Sequence, residues 1–257
     1  MSALLDDVQR HVLRIQVRLF ACHERLQANT DSEALHDLRI ALRQLRSLLR
    51  PLTAIATCAE LQQRAAELGR VSSPLRDLEV LQAYLLQQGL VDAAQAREPQ
   101  LQQGYAQLLS SAALTNVLSA LDQWPWQWQT AAASGELGAV RKLIRKRMRK
   151  DRTRLTQALL DPEHDRHRLR LLVKRLRYSA EAYPQLSDMN RAQLRVLKKA
   201  QSALGDWHDQ WQWLLRAEAE ADLQPCVPVW RSTLLAAQAE ADSALQVLTS
   251  KFAQPIE

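Results

Sequence analysis

Two segments of this chain carry an apolar stripe and a basic stripe on one helical period, and that double pattern leaves little choice of fold. His36, Arg39, Arg43 and Arg46 are spaced H-x2-R-x3-R-x2-R, and His167, Arg170, Lys174 and Arg177 repeat the spacing 131 residues later. At about 100° per residue each set falls within about 80° of one helix face. Leu38, Leu42, Leu45 and Leu49 form a separate apolar stripe, as do Leu169, Val173, Leu176 and Ala180. Each helix can therefore turn one side to a core and gather positive charge on another. Like charges three or four residues apart repel, so surface helices usually mix signs. Four same-sign residues converging twice point to a polyanion site.

The repeat extends beyond these stripes. Arg10, Arg14 and Arg18 recur as Arg141, Arg145 and Arg149, and Ser73-Pro74-Leu75-Arg76-Asp77 is echoed by Gly205-Asp206-Trp207-His208-Asp209. Three matches in one order at nearly one offset indicate an internal duplication. With two long units, a pseudo-symmetric pair of subdomains is expected rather than a stacked solenoid.

Composition agrees with a helical chain. The 257 residues are 47% hydrophobic, enough to fill one large domain or two intimate halves, and only six are glycine. Helix formers dominate and no alternating β-branched run marks a strand. The net charge is +6, but from Arg141 to Arg154 nine Lys or Arg residues stand against one acid, Asp151, a block that favours an anionic partner. Cys22, Cys58 and Cys226 are widely spaced among apolar neighbours, as small core residues in a reducing compartment would be. Asp6 and Asp7 interrupt any leader pattern, and no apolar stretch approaches the roughly 20 residues that span a bilayer. A cytoplasmic protein with no membrane partner is expected.

Prolines and capping residues divide the chain into helices. In the first half they fall at about 3–27, 30–51 (opened by a Thr30/Glu33 capping box), 54–69, 73–88 (N-capped by Ser73) and 91–121. Trp124-Pro125-Trp126-Gln127-Trp128 then reads as a connection, about 123–135, between repeat 1 (about 1–122) and repeat 2 (about 136–250). The second half gives helices at about 136–160, 163–184, 189–204, 206–222 and 227–250. Four core helices per half with short loops imply antiparallel bundles.

The segments HDLRIALRQLRSLLR (36–50), SPLRDLEVL (73–81), RHRLRLLVKRLRYSAEAY (166–183) and LKKAQSALGDWHDQWQWL (197–214) resemble those of the CHAD family, the conserved histidine α-helical domain. The resemblance implies an all-α fold of two four-helix bundles about a pseudo-two-fold axis, with a basic central groove or channel. It also implies binding of inorganic polyphosphate and association with polyphosphate granules. Ser73 departs from the glycine usual at its place, which Gly205 retains. Arg50 shares the first basic face, but its repeat partner is Glu181, so the halves need not bind equally. Some family members carry a triphosphatase domain with an E-x-E-x-K motif; none appears here, so the binding module alone is expected.

The candidate polyphosphate ligands are Arg10, Arg14, Arg18, His36, Arg39, Arg43, Arg46 and Arg50 in the first half. In the second they are Arg141, Lys142, Arg145, Arg149, His167, Arg170, Lys174, Arg177, Lys198 and His208. Polyphosphate has no bases to read, so recognition must rest on convergent donors: forked guanidinium groups and the mobile point charge of Lys. His36 and His167 read either as phosphate contacts strengthened by protonation or as capping and packing residues, and the resemblance favours the first. Asp77 and Asp209, at equivalent places in the repeat, are expected to accept hydrogen bonds or pair with arginines, orienting site groups or fixing a helix start. His164, Asp165, His167, His208 and Asp209 are of metal-ligand type, but neighbouring cations repel a divalent ion and no complete ligand set is visible. Divalent ions are expected only as counterions of the ligand. Trp207 and Trp211, one turn apart, read as a packing face more readily than as platforms for bases. No nucleotide-binding loop or nucleophile–base pair is found, so neither a cofactor nor catalysis is expected. The other readings are a regulatory nucleic-acid-binding helical protein and an accessory subunit of a polyphosphate-metabolising enzyme.

Overall fold

The computed structural model describes residues 3–161, 163 and 165–252, and among them every regular element is helical. Eleven α-helices can be followed among these residues: α1 (Ala3–Gln27), α2 (Ala34–Leu49), α3 (Ala56–Val71), α4 (Ser73–Gln87), α5 (Val91–Gln95), α6 (Glu98–Leu109), α7 (Ala112–Ala133), α8 (Val140–Leu159), α9 (Arg166–Ala182), α10 (Arg191–Ala217) and α11 (Val227–Phe252). The chain divides into two compact units, Met1–Ile144 and Arg145–Glu257. No helix among the described residues is long and apolar enough to cross a membrane.

In the first unit α1, α2, α3 and α7 pack in a ring, each against the next, as a four-helix bundle. The buried positions of α1, from Leu4 and Val8 through Val12, Ile15 and Leu19 to Cys22 and Leu26, step by three or four residues, the spacing of one helix face. Arg25 ties α1 to the start of α2: its guanidinium donates to both Asp31 oxygens at 2.9 and 2.7 Å and to Asp37 at 2.7 Å. Asp31 also accepts the Glu33 N–H at 3.0 Å, so the expected Thr30/Glu33 capping box is not formed; Asp31 supplies the local turn instead. Against this bundle lies α4, with Gly104 of α6 making room for Leu75: a Cβ there would fall 2.5 Å from a Leu75 methyl.

In the second unit α8, α9, α10 and α11 share one apolar core, from Leu155 and Leu169 through Val173, Leu197 and Leu204 to Leu245 and Phe252. Arg166 of α9 grips Asp242 of α11 through two bonds of 2.8 Å, and Asn190 and Gln193 form a capping box that opens α10.

Several expected boundaries move. The Trp-rich segment is not a connection but the second half of α7, with Trp124 and Trp128 fully buried and stacked at 4.9 Å. Proline inside a helix costs about 3 kcal/mol, which burial of two indoles outweighs at Pro125. The stretch 91–121 breaks where Pro99 opens α6 and Ser111 caps α7. Conversely, 189–204 and 206–222 are one helix, α10, because a helical glycine costs only about 1 kcal/mol and Leu204 and Trp207 bind the helix to the core on both sides of Gly205. Ser73 is the first residue of α4 rather than its cap. The three cysteines are buried free thiols, and burial pushes Cys58 up to about 12, so it stays protonated.

Trp128→Ala removes half of the stacked pair and leaves a cavity between α7 and its neighbours. The expected loss in chemical denaturation is about 3–5 kcal/mol; a loss under about 1 kcal/mol would show that the pair does not anchor α7.

Candidate anion-binding faces

In the first unit the basic stripe follows from how α2 buries its leucines. With Leu35, Leu38, Leu42, Leu45 and Leu49 inward, Arg43 and Arg46 are exposed, while His36, Arg39 and Arg50 are half-buried. Arg39 bends toward the junction of α3 and α4. One of its terminal nitrogens donates to the Gly69 carbonyl at 3.0 Å and to the Ser72 hydroxyl at 3.1 Å, and the other donates to the Ser73 hydroxyl at 3.2 Å. Burial lowers its pKa, the charge of Asp77 opposes that, and Arg76 and Arg43 reinforce it. An arginine remains charged through such a change. Arg46 lies over Gly69, where a Cβ would stand 3.3 Å from its Nη1. Ser73 therefore does specific work where a glycine was expected: its hydroxyl helps fix the first arginine of the stripe.

Arg10, Arg14 and Arg18 are exposed on α1. Arg10 pairs with Asp7 at 2.8 Å, and Arg18 donates to Gln44 at 3.1 Å. Gln44 and Asp37 lie on the flank of α2 that meets α1, whereas Arg39 reaches from the flank that meets the α3–α4 junction. Arg18 and Arg39 thus reach different flanks of α2.

In the second unit Asp165 caps α9 by accepting the His167 N–H at 2.8 Å. This sets the stripe running from exposed His167 through half-buried Arg170, Lys174 and Arg177. His208 of α10 meets its upper end, with the ring centroids of His167 and His208 5.2 Å apart. Burial, then the charges of Arg170, His167 and Lys174, push the His208 imidazole down to about 4. Its buried Nδ1 has no hydrogen-bond partner. At the lower end Arg177 pairs with Glu181 at 2.7 Å and lies over the Tyr178 ring at 5.2 Å, while Gln201 of α10 donates to the Tyr178 hydroxyl at 3.2 Å. Glu181 is the residue that stands at the place of Arg50, so the substitution noted in the sequence neutralises a member of this stripe. Lys198, Gln201, Gly205 and His208 share the flank of α10 toward α9, and a Cβ on Gly205 would meet nothing within 4 Å. Arg39 has a hydroxyl beneath it at Ser73; the corresponding place in α10 is bare.

Arg141, Lys142, Arg145 and Arg149 are exposed along α8, and Lys198 is exposed on α10. Arg147 differs: it approaches Asp151, itself 2% exposed, at 3.4 Å, and therefore belongs to the fold. His164 lies outside the described residues, and among those described no cluster of three or more metal-ligating side chains occurs. Gly69, Ser72 and Gln201 were not apparent as site residues, because nothing local in the sequence tells that an arginine from another helix lies on them.

The depressed pKa of His208 links stability to pH. An unfolded chain protonates this imidazole below about 6.5, the folded chain only near 4, so the folded state loses ground as pH falls through that window and not above it. His208→Gln removes the effect: its melting temperature should fall less than that of the parent protein between pH 7 and pH 5. Equal falls would contradict the buried, cation-flanked environment.

Comparison with known proteins adds a family. The model of the CHAD domain matches residues 11–218. Among solved structures, the crystal structure of the CHAD domain from the plant Ricinus communis is similar with a TM-score of 0.72, at 23% sequence identity, over 99% of this chain and 93% of that one; at that identity the likeness shows the fold. No curated protein sequence matches. The family match spans most of the chain and agrees with the all-α architecture: the chain belongs to the CHAD domain family.

Proposed function

We propose that this protein binds inorganic polyphosphate by electrostatic capture on the basic faces of α2 and α9, as a binding module without catalysis, and that it associates with polyphosphate granules. The reading takes the two faces as repeats of one module. The observation that carries it is the clustering of basic side chains at the top of α9: the His167 and His208 rings lie 5.2 Å apart, and the charges of Arg170 and Lys174 reach the His208 imidazole. A flexible chain of phosphates relieves such crowding by placing negative charge against several cations at once. Arginine forks engage its oxygens in pairs, and Lys174 supplies a mobile charge. The resemblance of the four segments to CHAD sequences directs the choice toward polyphosphate among polyanions. Divalent ions would enter as its counterions.

Arg43 and Lys174 lie in the middle of their stripes, so Arg43→Glu with Lys174→Glu is the direct test. The control is Lys146→Glu with Lys251→Glu, both exposed; Arg147 is unsuitable because of its contact with Asp151. With labelled long-chain polyphosphate at near-physiological salt, the stripe variant should lose at least about tenfold in affinity and flatten the salt dependence, as fewer counterions are released. The control should stay within about threefold. Equal losses in both would reduce the interaction to net charge and overturn the assignment to these faces.

A further inference from the structure

Beside the α9 stripe stands an aromatic surface that phosphate binding does not use. Trp207 and Trp211, one turn apart on α10, lie with their rings 3° from parallel and centroids 6.1 Å apart. Trp207 packs against the core of the second unit, while Trp211 is 38% exposed. The expected packing face is thus half correct: the inner indole packs and holds the outer one parallel at the surface. His208 tilts against both, 6.2 Å from Trp207 and 5.9 Å from Trp211, and its other neighbour is His167 at 5.2 Å. Within one turn of α10, therefore, an exposed indole passes through an imidazole into the cations of α9. Arg170 and Lys174 follow His167 by three and seven residues, about 4.5 and 10.5 Å along the helix axis.

We propose that the second unit binds nucleoside polyphosphates, with the base stacked on Trp211 and the phosphates running past His208 and His167 onto Arg170 and Lys174. The proposal rests on the phosphate-binding reading and names a second ligand class for the same face. An indole attracts any base through its π-face, so recognition tolerates different bases and favours the larger purines. Single-stranded nucleic acid fits less well. It alternates bases with phosphates and calls for a series of platforms, whereas this face offers one outward indole beside cations bunched within two turns. One base followed by several contiguous phosphates matches that order.

The test compares ATP with inorganic tripolyphosphate, without divalent ions, by calorimetry on the full chain and its Trp211→Ala variant. The variant should lose roughly five- to a hundredfold in ATP affinity, the usual range for one base stack, and keep tripolyphosphate affinity within about twofold. Trp211→Phe should retain part of the ATP preference, and ATP but not tripolyphosphate should quench tryptophan emission of the parent protein. If tripolyphosphate binds but Trp211→Ala leaves ATP affinity unchanged, or lowers both ligands equally, the base site is wrong and phosphate binding stands. If neither ligand binds, both readings fall. If oligodeoxyadenylate binds through Trp211 with affinity that grows with length beyond that of ATP, a strand replaces the nucleotide and the proposal is overturned.

Discussion

Rotation of α2 and α9 about their own axes is fixed by the leucines they bury, and each basic stripe takes its direction from that. Leu38, Leu42 and Leu45 are 2% exposed or less, as are Leu169, Val173 and Leu176. Burying each is worth about 1.5–3 kcal/mol, far more than the few tenths by which neighbouring like charges on a helix repel. The cores therefore hold cations side by side that would otherwise spread apart. The concentrated charge is a consequence of packing strength.

The two faces are built differently at their edges. In the first unit Arg39 is spent partly on structure, held by a carbonyl and two serine hydroxyls at the α3–α4 junction. In the second, α10 runs straight through Gly205, and the compensation comes at the other end, where Glu181 takes Arg177. One face leads with a fixed arginine and ends in Arg50; the other leads with a pair of imidazoles and ends in an ion pair. The two stripes, alike in spacing, thus differ in what holds their first and last members.

The stripes were legible in the sequence because helical period is a local property, and so were the buried cysteines. The breaks were less so. Gly205 and Pro125 read as interruptions, yet their local costs of a few kcal/mol at most are overridden by Leu204, Trp124 and Trp128 in the core, which only the tertiary structure reveals. The converse holds at 96–97 and 110–111, where a long helix-like composition hides two real breaks. At the site, spacing placed His36, Arg39, Arg43 and Arg46 on one face, but could not show that Arg39 folds onto Ser72 and Ser73 or that Arg18 turns to Gln44. Nor could it separate Arg147, held by a buried carboxylate, from its exposed neighbours. Trp211 beside Trp207 illustrates the same limit: one spacing yields an indole packed against the core and an exposed one.

The central claim is that these faces select polyphosphate rather than polyanions in general, and a competition titration at near-physiological salt measures that selectivity directly. Labelled long-chain polyphosphate is bound and then challenged with DNA and with RNA at matched phosphate concentration. The account expects neither nucleic acid to displace it appreciably. Displacement by either at equal phosphate concentration would contradict selective capture and leave a general polyanion binder.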